Sequence, residues 1–77
     1  MVTMWEVRAA EGRLAELLDW VLARSVPDAQ VYRSAEPEQR VVVIDPSGQA
    51  EQLLADLPAG LAARPAHAWN FEQIRND

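Results

Sequence analysis

The segment Arg40-Val41-Val42-Val43-Ile44-Asp45 constrains this chain more than any other. Four consecutive apolar residues bounded by charges read as a strand, and a strand sends alternate side chains to opposite faces, so both faces of this one must be covered. Leaving two large aliphatics in water would forfeit about 1.5–3 kcal/mol for each side chain. That is a large share of a small domain's net stability. The chain has 77 residues, a size at which folding buries only about 60% of the surface that the unfolded chain exposes. A second copy of the chain is the simplest cover for the remaining face.

The rest of the sequence supplies the elements around this strand. Residues 2–9, VTMWEVRA, alternate, with Thr3, Trp5, Val7 and Ala9 on one side and Val2, Met4, Glu6 and Arg8 on the other. From Gly12 the period changes. Leu14, Leu17, Leu18, Val21 and Leu22 follow helical spacing, and Val26-Pro27 ends the helix, with Arg24 suited to its C-terminus. A second strand is expected at 29–35, AQVYRSA, and a hairpin loop at 36–39, EPEQ, whose Pro37 cannot donate to a ladder. After the third strand, Asp45 or Ser47 is positioned to cap a second helix carrying Ala50, Leu53, Leu54 and Leu57, which Pro58 and Gly60 terminate. Residues 59–65 connect to a fourth strand at 66–74, AHAWNFEQI, followed by a polar tail.

The order βαββαβ predicts a single α+β domain over residues 1–77, a ferredoxin-like four-stranded antiparallel sheet with both helices on one face. One face of that sheet has no helix. The apolar third strand then requires something else there, and a homodimer with the two sheets face to face satisfies it.

Composition excludes several classes of function. The net charge is −5, and the seven basic residues, all arginines, are scattered along the chain, so no stripe can neutralise a row of phosphates; no nucleic-acid partner is expected. No apolar run approaches the roughly 18 residues that span a bilayer, and no signal-type segment is present, so no membrane partner and a cytoplasmic location are expected. With no cysteine and one histidine, neither a metal site nor a cofactor is expected. Glycine-rich phosphate loops and nucleophile elbows are absent.

The stretches VRAAEGRLAELLDWV, AQVYRSAEPEQRVVVID and SGQAEQLLAD together resemble the dimeric alpha/beta-barrel superfamily, and within it the antibiotic-biosynthesis-monooxygenase-like domains. The resemblance covers most of the chain, which is shorter than typical members and has a compressed second half. It implies two sheets packed as a barrel. Members range from cofactor-free oxygenases through haem-degrading enzymes to proteins with no shown activity, so it implies a dimer more strongly than a reaction.

Candidate site residues cluster at the chain's end. On a regular strand His67, Trp69 and Phe71 share one face while Asn70 and Glu72 take the other. His67 or Asn70 could face a pocket and hold an aromatic ligand against Trp69; alternatively the strand closes the core with Trp69 and Phe71 and leaves His67 near solvent. Glu6 and Arg8 are unexpected on a central strand, unless they form ion pairs across a subunit boundary or serve a ligand site in which Arg8 or Arg33 meets a carboxylate. Tyr32 is a further pocket candidate. Trp20, off the leucine stripe and beside Arg24, marks a contact surface or lies under the guanidinium as a cation–π pair.

These residues leave two functions open. One is a homodimeric accessory module that is non-catalytic or binds a small aromatic ligand. The other is a cofactor-independent monooxygenase or isomerase acting on an aromatic polyketide-like or quinone-like molecule. Size and the shortage of titratable groups favour the first, because only His67 has an ordinary pKa suited to proton transfer near neutrality.

Overall fold

Val2–Arg8 (β1) pairs antiparallel with Arg40–Asp45 (β3) at the centre of the fold in the computed structural model, which describes residues 1–34 and 37–75. Gln30–Arg33 (β2) flanks β3, and His67–Phe71 (β4) flanks β1, so the sheet reads β2-β3-β1-β4 with every neighbour antiparallel. Leu14–Arg24 (α1) packs across β3, and the one-turn helix Ala50–Leu53 (α2) packs across β1. The arrangement is α+β and compatible with a ferredoxin-like fold.

The alternation in β1 and β3 determines which side chains form the core. Trp5, Val7, Ala9, Val41 and Val43 turn toward the helices, where they meet Leu17, Val21, Ala50, Leu54 and Leu61, all buried. The opposite face carries Val2, Met4, Val42 and Ile44, half-buried between their neighbours. α1 is rotated from the expected stripe. Leu17 and Val21 are fully buried, Leu14, Leu18 and Trp20 flank them, and Leu22 is 54% exposed. At about 100° per residue, Leu22 falls roughly 120° from the midpoint between Leu17 and Val21, whereas Trp20 falls about 80° from it. Ser25 closes the helix before Val26-Pro27, its N–H and hydroxyl both donating to the Val21 carbonyl.

The second half of the chain departs most from expectation. α2 stops at Leu53, although Leu54 and Leu57 continue its spacing. Gln49, and not Asp45 or Ser47, holds its N-cap position, without a side-chain bond of its own. A helix this short makes few bonds to offset its nucleation cost, and Pro58 disfavours helical backbone at Leu57. A short 3₁₀ helix at Ala59–Leu61 lies within the expected connection. β2 is shorter than expected and ends at Arg33, with Ala35 and Glu36 outside the described residues. β4 ends at Phe71 and not at Ile74. Of the polar tail, Asn76 and Asp77 also lie outside them.

Asp45 and Thr3 are paired in register at one end of the sheet and both are buried, which demands partners for their polar atoms. Thr3 Oγ1 donates to Asn70 Oδ1 at 2.7 Å. The Asp45 carboxylate accepts the Ser47 N–H and hydroxyl on one oxygen and the Gln49 N–H on the other. Burial pushes the Asp45 pKa up, but bonds from Ser47, Gln49 and Ala50 outweigh it and hold the carboxyl below its ordinary value. Gly48 allows the turn to close, at φ 74°, with the Met1 carbonyl against its α-carbon.

Candidate functional site

The register of β1 with its two neighbours places the open face in rows. His67, Glu6, Val42 and Tyr32 form one row across all four strands, and Trp69, Met4, Ile44 and Gln30 form the next. Phe71 lies beside Val2 beyond them. Three of the chain's five aromatic residues therefore stand on the face without helices: Tyr32 is 53%, Trp69 46% and Phe71 50% exposed. Trp69 and Phe71 do not close the core of the chain, contrary to one of the two alternatives for this strand. The inward positions of β4 are Ala68 and Asn70, with Trp5 of β1 beside Ala68 in register.

Polar groups gather at one end of this face. Glu6, Arg8 and His67 meet there around a small cavity of about 100 Å³, which Arg40, Arg64 and Pro65 also line. Glu6 pairs with Arg40 at 3.6 Å, and Arg40 in turn with Glu38 at 3.7 Å. Arg8 is exposed and has no part in these pairs. His67 stacks on Trp69, their ring centroids 5.8 Å apart and their planes 13° apart.

The other candidates lie elsewhere. Asn70 is on the helix side of β4, bonded to Thr3, and Tyr32 is three strands from His67, at the opposite edge of the sheet, with its hydroxyl donating to Gln30 at 3.0 Å. Arg33 lies on the helix side of the opposite edge strand. Trp20 is half-buried, and the Arg24 guanidinium carbon lies 4.5 Å from its ring centroid, so the cation–π arrangement is the one formed. Sequence reasoning missed Arg40 and Arg64. The pairing of β3 with β1 sets Arg40 opposite Arg8, a neighbour that an antiparallel alignment of the two strands could have found.

A larger cavity lies on the other side of the sheet. It measures about 600 Å³ and lies between β1, β4 and the segment from α2 to the 3₁₀ helix, with Trp5, Leu54, Leu57, Ala66 and Ala68 among its lining residues and Glu51 and Arg64 as its charged ones. A short α2 and the small side chains of Ala66 and Ala68 leave this space open.

Among the described residues no group of three or more histidines or carboxylates could hold a metal ion, and no helix is long and apolar enough to cross a membrane. Compared with protein-family models, with curated proteins and with solved structures, the chain matches none.

Proposed function

We propose that this chain is a small homodimeric binding module in which two copies pack the open faces of their sheets together as an α/β barrel. The observation that carries this reading is the contiguous apolar band on the helix-free face: Phe71 and Val2, then Trp69, Met4 and Ile44, then Val42 and Tyr32. With strands about 4.8 Å apart and residues rising about 3.3 Å each, the face is roughly 20 Å across in both directions. At about 400 Å² the face is comparable to the largest apolar patch of a typical monomer, and such patches often mark interaction sites. The same surface on both copies suits a two-fold interface, and a chain of 77 residues gains the burial that its own core does not provide.

A non-catalytic role follows from the dispersal of the chemical groups. His67 has Glu6 opposite it in register, but Asn70 and Tyr32 are elsewhere, and a cavity of about 100 Å³ is too small for an aromatic substrate. The alternative, a cofactor-independent oxygenase or isomerase, rests on that His67–Glu6 neighbourhood alone.

Sedimentation equilibrium tests the reading, on the wild type and on Val42→Asp, which puts a charge in the row of the band that holds Tyr32. The expected result is a dimer at micromolar concentration for the wild type and a folded monomer for the variant. A wild-type chain that stays folded and monomeric at those concentrations rejects it. Turnover of an aromatic or quinone substrate, lost in His67→Ala without loss of thermal stability, would favour the catalytic alternative.

A further inference from the structure

The pairing of β1 with the returning chain contains an irregularity that shapes the cavity on the helix side. Glu6 faces His67 and Ala9 faces Ala62, so β1 uses two residues, Val7 and Arg8, where the other segment uses four, Ala63 to Ala66. The extra residues form a bulge, tied at its start by the Ala63 N–H donating to the Arg8 carbonyl at 2.8 Å. Bulges of this kind re-aim side chains and occur beside binding sites. Here the bulge carries Arg64 to the edge of the sheet, where it lines both the cavity of about 600 Å³ on the helix side and the small one on the open face.

The chemistry of the larger cavity is one-sided. Its floor is apolar, made by Trp5, Leu54, Ala66 and Ala68, and Arg64 is its sole cation. Arg64 makes no ion pair or hydrogen bond among the described residues. Glu51, also at the lining, makes no ion pair among the described residues and repels an anion placed near it. A volume of this order matches the range in which proteins hold small organic ligands, with an apolar wall and few polar groups that fix orientation. A guanidinium with free donors is suited to bind a carboxylate through two parallel bonds.

We infer that this cavity binds a small apolar carboxylate, an aryl- or alkylacetate in type, with its acid group on Arg64 and its body against Trp5, Leu54 and Ala68. The site lies within one protomer, so it goes beyond the dimer reading and stands without it. Glu51, the one acidic residue of the lining, disfavours a second negative charge on the ligand.

Calorimetric titration of phenylacetate and indole-3-acetate into the full chain tests this, with phenylacetamide and phenethylamine as the neutral and cationic counterparts. Both carboxylates are expected to bind, the amide about tenfold or more weaker, and the amine weaker still. Arg64→Gln should bring carboxylate affinity down to that of the amide, and Arg64→Lys should restore part of it. Arg13→Gln removes the same charge at the start of α1, outside both cavities, and should change nothing. Ala68→Leu should abolish binding by filling the cavity from β4, and Ala66→Leu gives the same reading if that variant does not fold. The inference is overturned if no carboxylate binds at millimolar concentration, if acid and amide bind alike, if Arg64→Gln binds as the wild type, or if the cavity-filling variants keep full affinity. Sedimentation of the same proteins reads association separately, so loss of the dimer and loss of the ligand are told apart.

Discussion

His67 and Trp69 stack ring on ring on the open face of the sheet, at 5.8 Å between centroids. The pair joins the polar end of that face to its apolar band. Because Trp69 is 46% exposed, Trp69→Ala should cost an isolated protomer about 1–2 kcal/mol, less than half of what truncating a buried tryptophan costs. Under the dimer reading the measured loss grows with protein concentration, since the wild type gains stability by association. Urea unfolding at about 1 µM and about 100 µM checks this. A loss that does not change between the two concentrations counts against association through this face.

The two glycines with positive φ separate two costs of adding a side chain. Gly12 and Gly48 have nearly the same backbone, at φ 76° and 74°. A β-carbon at Gly12 meets nothing within 4 Å, whereas one at Gly48 lies 2.7 Å from the Met1 carbonyl oxygen. Gly12→Ala should cost about 1–2 kcal/mol, the penalty for an L-residue in the left-handed region. Gly48→Ala should cost more by about 1 kcal/mol, because the first residue must shift. Equal melting temperatures for the two variants would show that the start of the chain yields freely.

Asp45 makes the fold sensitive to acid. Its folded-state pKa lies below the ordinary aspartate value of 3.8, so the ionised carboxylate stabilises the protein above that pH and loses this contribution as the pH falls below it. Asp45→Asn keeps one acceptor but turns a donor toward donors, and should cost about 1–3 kcal/mol at neutral pH. The variant should also show a shallower loss of stability as the pH falls below the ordinary aspartate value. Unfolding free energies across that range distinguish it from a variant that is weaker by a constant amount.

Trp20 and Arg24 should respond unequally. The half-buried indole contributes packing as well as its cation–π contact, so Trp20→Ala should cost about 1.5–3 kcal/mol. Arg24→Ala removes only the cation from an exposed site and should cost about 0.5–1 kcal/mol. Thermal denaturation of both variants measures the difference; a Trp20→Ala loss below that of Arg24→Ala would mean that the ring contributes little to the core.

Strand periodicity made β1 and β3 legible, since Trp5, Val7, Val41 and Val43 alternate with residues that cannot share their side. The centre of α1 was legible for the same reason, but its rotation was not. Leu22 and Trp20 are both large and apolar, and only the neighbouring elements decide that the tryptophan packs while the leucine is exposed. In β4 the pattern of small and large residues was plain, but assigning the large ones to the core failed. Which side of β4 turns to the helices is set by its pairing with β1, where His67, Trp69 and Phe71 fall opposite Glu6, Met4 and Val2, a fact carried by register between distant segments and not by either segment alone. The polar cluster was visible in part: Glu6, Arg8 and His67 were singled out, whereas Arg64 enters through the bulge, which no local pattern announces.

The bulge at Ala63–Ala66 also bears on how the protein behaves while crowded or newly made. β4 is an edge strand with two large aromatics, a combination that invites pairing with strands of other chains. Pro65 has no N–H to offer, and the bulge breaks the ladder just before His67, so an incoming strand finds at most the five residues His67–Phe71 to align with. The bulge and the proline thus confine any pairing along this aromatic edge to five residues, which limits how far a neighbouring strand can extend along it.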